Sequence, residues 1–97
     1  QPKTKEEVRD EFLYTIQNMI NIWNNADTET TKEKLEGLAF SIMNIFDGTG
    51  SLPAFDIVLR QHPDDRDFYI EQGENYYEDG MIINDDVMLH EIIFKNR

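Results

Sequence analysis

The sequence has no cysteine at all and only two serines, Ser41 and Ser51. Without thiols, disulfides, thiolate metal sites and a cysteine nucleophile are excluded, and a reducing cytoplasm is the expected location. Ser41 falls inside a helical pattern with no Gly-x-Ser-x-Gly elbow around it, which leaves a serine-hydrolase reading without support. Long apolar runs are missing too. No stretch approaches the roughly 20 residues needed to cross a bilayer, so no membrane partner is expected.

Basic residues are the other scarcity, with nine Lys and Arg against twenty Asp and Glu for a net charge of −11. The imbalance is uneven: residues 1–34 carry five bases and seven acids, whereas residues 61–97 carry three and ten. Binding to phosphates requires clustered cations that release counterions, and this chain offers the reverse. Direct nucleic-acid binding and attachment to an anionic membrane are therefore not expected. The chain begins at Gln1 and not at Met, so a leading segment, either a signal peptide or a tag, is expected to have preceded it.

What is present suffices for one folded domain over residues 1–97: 39% of residues are hydrophobic, and Trp23 accompanies six Phe and four Tyr. Thr4-Lys5-Glu6-Glu7 is a capping-box pattern that opens a helix over residues 4–25. Val8, Phe12, Ile16, Met19, Ile20 and Trp23 then recur at helical spacing as one apolar face. Thr30 and Glu33 repeat the box before a helix over 31–47, where Leu35, Leu38, Ala39, Ile42, Ile45 and Phe46 form the face. Gly37 within it costs about 1 kcal/mol against Ala and implies close approach to the first helix. Gly48 suits a left-handed C-terminal cap, and the short connection makes the two helices antiparallel.

Residues 55–60, "FDIVLR", alternate apolar and polar positions as a half-buried strand does. A short helix over 63–72 follows. Asp79-Gly80 is placed to close a hairpin over 75–83, and Asn84 or Asp85 to cap a last helix over 85–95. The expected fold class is therefore α+β: a helix-rich, antiparallel two-helix hairpin packed with a small β element and a short C-terminal helix.

The most suggestive chemistry is His62-Pro63-Asp64-Asp65, since imidazole and carboxylate both bind zinc and a spare Asp can serve as general base. The motif resembles the His-Pro-Asp-Asp-Glu zinc motif of the N-acetylglucosaminyl deacetylase family. That resemblance would make His62 and Asp65 ligands and Asp64 a base, with His90 the one histidine left to join them. Arg66, however, stands where the family has Glu. An ordinary helix start explains the same residues, with Pro63 at the first position and Asp64 and Asp65 at the positive end of the dipole. "DGTGSL" from Asp47 resembles the middle of an EF-hand loop, but its first ligand position falls on Ile45, which offers no oxygen. His90-Glu91 lacks the second His of a zinc helix, that place being Phe94.

No cofactor is expected. Phe68, Tyr69, Tyr76 and Tyr77 form the candidate interaction surface, since tyrosine joins a large apolar face to a polar tip. Residues 35–65, "LEGLAFSIMNIFDGTGSLPAFDIVLRQHPDD", resemble a family of small bacterial proteins of unknown function, which implies a stand-alone bacterial domain and carries no activity. The leading expectation is a non-catalytic module that binds a protein partner or forms a homo-oligomer. The alternatives are a metal-dependent hydrolase built on His62, Asp64 and Asp65, and an acidic mimic of nucleic acid.

Overall fold

A computed structural model describes residues 1–95 of the chain, leaving Asn96 and Arg97 outside it. Four helices occur among the described residues: α1 (Lys5–Asn24), α2 (Thr31–Asp47), α3 (Pro63–Glu71) and α4 (Leu89–Ile92). Both capping boxes form. The Thr4 hydroxyl accepts from the Glu7 amide at 3.1 Å, and the Thr30 hydroxyl from the Glu33 amide at 3.2 Å. In each the glutamate carboxylate reaches back to the cap amide, so two otherwise orphaned donors are satisfied at each start. Gly48 ends α2 at φ +75°, and a Cβ there would meet the Ala54 amide nitrogen at 2.6 Å. A residue with a side chain fails at that position on both counts.

α2 is the central element, packing against α1 on one side and α4 on the other. The ring of Phe12 in α1 lies 6.0 Å from Phe46 in α2 and 5.3 Å from Phe55 in the segment that follows α2. Ile45 of α2 and Leu52 just after it are the two buried residues among those described.

The expected α+β class is corrected, for the described residues contain no sheet. Residues 55–60 do not form a strand; the β pairing comes down to one antiparallel bridge between Val58 and Ile82. Side chains and a glycine explain why the ladder stops. The Ile57 carbonyl accepts from the Ile83 amide at 3.0 Å, but the return bond goes from the Ile57 amide to Asn84 Oδ1 at 2.8 Å. The Leu59 amide donates to the Met81 carbonyl, while the Leu59 carbonyl takes the Gly80 amide, one residue out of register. Each flanking pair is thus half made, and a second rung never forms. Asn84 Nδ2 also donates to the Phe55 carbonyl at 2.8 Å, so one carboxamide replaces a whole peptide unit of partner strand.

Two further expectations change for related reasons. No hairpin joins residues 75–77 to 81–83: the turn at Asp79 and Gly80 exists, but residues 81–83 turn toward 57–59 instead. The last helix is confined to Leu89–Ile92 instead of 85–95, because Asn84 is committed to Phe55 and Ile57 and does not cap it.

The molecule is open and flat, with principal extents of 52 × 43 × 22 Å. Its radius of gyration is 17.3 Å, whereas a compact domain of this length has about 12.5 Å. The arm from His62 to Glu78 includes α3. No Cα of α3 comes within 8 Å of another helix. The base of this arm is closed where the Gln61 amide donates to Asp79 Oδ1 at 2.8 Å.

The α1–α2 contact is tightest at Gly37, where a Cβ would lie 2.5 Å from Cη2 and Cζ3 of Trp23. The indole is fixed in turn by its Nε1 donating to Ser41 Oγ at 2.9 Å. Gly37→Ala gains about 1 kcal/mol of helix propensity but forces the ring aside at a cost of roughly 1–3 kcal/mol. Thermal unfolding followed by emission of this single tryptophan is expected to show a lower midpoint; a higher one would mean that the ring moves away freely.

Candidate functional site

The residues singled out for metal chemistry are placed as a helix start. His62 is the N-cap of α3, and its Nδ1 accepts from the Asp64 amide at 3.1 Å. Pro63 occupies the first turn, with the Asp64 and Asp65 carboxylates at the positive end of the helix. His62 and Asp64 are both exposed, and His62 Nδ1 stands 3.8 Å from Asp64 Oδ2. His90 belongs to a different element and a different partner. Among the described residues no three His, Asp or Glu side chains converge in a metal-holding group.

A buried polar site lies where spacing does not reveal it. Asp47, the last residue of α2, has its side chain 1% exposed and turned onto the start of α4. Its Oδ1 accepts from the Leu89 amide at 2.8 Å, and its Oδ2 from the His90 amide at 2.7 Å and lies 2.6 Å from His90 Nδ1. A carboxylate only accepts, so the imidazole proton sits on Nδ1. The Phe40 ring meets the imidazole edge-on at 5.7 Å and completes the enclosure. Burial is the largest influence on Asp47 and raises its pKa; the His90 and Leu89 amides with the imidazole outweigh it, leaving the carboxyl below its ordinary value. This arrangement supplies the cap that α4 lacks locally. It also answers the EF-hand likeness, because both Asp47 oxygens are already used.

An aspartate-oriented histidine is half of a general-base unit, which needs a substrate beside its other nitrogen. Among the described residues, concavities of about 240 to 470 Å³ are found that neither His62 nor His90 lines. The dyad therefore reads as a tertiary helix cap that fixes the C-terminal segment to α2.

The expected interaction residues all lie on the arm. Phe68 and Tyr69 stack edge-to-face at 6.0 Å on α3, and Arg66 stands 5.8 Å over the Tyr76 ring. Phe68 is 56% exposed and Tyr77 63%. A second apolar surface was missed because helical spacing assigned its members to the core. Leu35 is 63% exposed and Ile20 48%, and with Trp23 and Leu38 they line a groove of about 320 Å³ between α1 and α2. Lys34, whose Nζ donates to the Asn24 carbonyl at 3.1 Å, is the one charged residue lining it. Periodicity identifies residues that share a face but not what lies over that face. No helix among the described residues is long and apolar enough to cross a membrane.

Comparison of the chain with family models, curated proteins and solved structures returned no match.

Asp47→Ala leaves the Leu89 and His90 amides without their acceptor and is expected to lower stability by roughly 2–3 kcal/mol. Faster amide exchange should be confined at first to residues 88–95. The pH dependence has a fixed sign. A carboxyl whose folded pKa is lowered stabilises the fold fully above its unfolded value of about 3.9, and loses that contribution as pH falls toward the folded value. Denaturant titrations below about pH 4 should therefore show a shallower acid loss in Asp47→Asn than in the parent chain. Equal slopes would mean that this carboxylate is not the group that titrates.

Proposed function

We propose that this chain is a non-catalytic protein-interaction module, acting in the cytoplasm, whose surface is completed by association. The observation that carries the reading is how little of its apolar surface the chain covers by itself. Only Ile45 and Leu52 are buried among the described residues, while Leu35, Phe68 and Tyr77 are each more than half exposed. Single exposed apolar residues are ordinary on a monomer, but contiguous ones mark interaction sites. Here they fall into two sets, the α1–α2 groove and the aromatic arm.

A catalytic reading lacks the convergence of acid, base and concavity that chemistry requires. Nucleic acid is disfavoured as a partner by the net charge of −11, which repels phosphates. The absence of cysteine supports a reducing compartment.

A photoreactive phenylalanine analogue placed at Leu35 or Phe68 tests the reading in cells. Irradiation is expected to give covalent adducts of defined protein mass from both positions, and none from the same analogue at the exposed polar position Gln17. If neither apolar position forms any protein adduct, the module reading is wrong.

A further inference from the structure

The arm helix and the groove share a deficiency, since each is a surface with nothing on it. α3 has nine residues, and an isolated helix below about 12–15 residues is marginal in water. Stability for such a helix comes from packing an apolar face, yet α3 packs on no other helix of its own chain. It is nevertheless well started, with the His62 cap and Pro63, and it ends in bonds from the Gly73 amide to the Ile70 carbonyl and the Glu74 amide to the Tyr69 carbonyl. A helix specified this carefully at both ends, with Phe68 and Ile70 about half exposed, needs a surface to lie on.

We propose that this surface is the α1–α2 groove of a second copy of the chain, and that two copies exchange arms reciprocally to close a two-fold dimer. The inference rests on the interaction-module reading and names its partner. The area is right for it. The chain exposes 7826 Å², against about 5,800 Å² for a compact monomer of this mass, an excess of about 2,000 Å². Obligate homodimers remove about 1,000–2,500 Å² per chain, so one self-interface accounts for the whole excess. Local charge also fits. The arm from 62 to 78 carries six carboxylates against Arg66 alone, whereas the one charged residue lining the groove is Lys34. Phe68 is of a size to enter a groove of about 320 Å³ beside Trp23 and Leu38. Reciprocal exchange buries two identical contacts and leaves no open end, which a one-way contact would propagate into a filament.

Sedimentation equilibrium of the full chain at tens of micromolar is expected to return twice the chain mass. Leu35→Asp, in the groove, and Phe68→Asp, on the arm, should each weaken self-association at least 100-fold. Both side chains are more than half exposed, so far-UV circular dichroism should be unchanged. An equimolar mixture of the two variants restores one intact contact, the arm of the Leu35→Asp chain in the groove of the Phe68→Asp chain. That mixture should associate at least 10-fold more tightly than either variant alone. A chain monomeric at every concentration overturns the proposal, as does a dimer indifferent to Phe68→Asp, which would instead place two grooves face to face. Photoadducts of other masses with no self-adduct overturn it too, but leave the interaction module standing; only the absence of every adduct removes both.

Discussion

The carboxylate of Asp47 is the point on which the C-terminal third of the chain depends. Ile83 and Asn84 are held by residues 55–57, but beyond them α4 is one turn long and Met88 offers it no side-chain cap. A single turn of helix fixes several dihedral angles for very few hydrogen bonds, so it does not persist alone. By accepting from two consecutive amides and an imidazole, Asp47 converts that turn into an extension of α2. Gly48 makes the arrangement feasible, because its left-handed conformation sends the chain away immediately after the aspartate and leaves the carboxylate facing α4.

From that anchor the remaining irregular chain is tied by side chains standing in for backbone. Asn84 takes the Ile57 amide and the Phe55 carbonyl, and Asp79 takes the Gln61 amide. The two together bracket the short pairing of 57–59 with 80–83 and fix where the arm leaves the body. A regular ladder would run on and offer an open edge to other chains; stopping it at one bridge limits that hazard. The arm then departs from this base, and no Cα of α3 comes within 8 Å of another helix.

Which parts were legible in the sequence follows from how far apart the determining residues lie. The starts of α1, α2 and α3 are set by groups two or three positions apart, Thr4 with Glu7, Thr30 with Glu33, and His62 with Asp64, so local spacing exposes them. The misread strand and the overlong last helix are set by contacts across 27 to 43 positions, from Ile57 to Asn84 and from Asp47 to His90. Asn84 looked available as a helix cap because its two partners lie far upstream. The exposed apolar residues were half visible for the same reason. The tyrosines and Phe68 stand out in a polar stretch, whereas Ile20 and Leu35 sit on helical faces whose spacing matches that of core residues.

That last ambiguity carries physical content. A sequence writes an apolar face on each helix without stating whether its own chain or another will cover it, and the transfer free energy is the same in both cases. For this chain the two faces are written on α1 and α2 as fully as for a closed bundle, yet α4 and the Phe55 segment cover only the end near Ile45. The far end, at Trp23 and Leu35, stays open. A domain this small buries a limited share of its surface by itself, and association is one established remedy. On the arm-exchange proposal, the exposed groove and the unsupported helix become two halves of one contact, divided between chains.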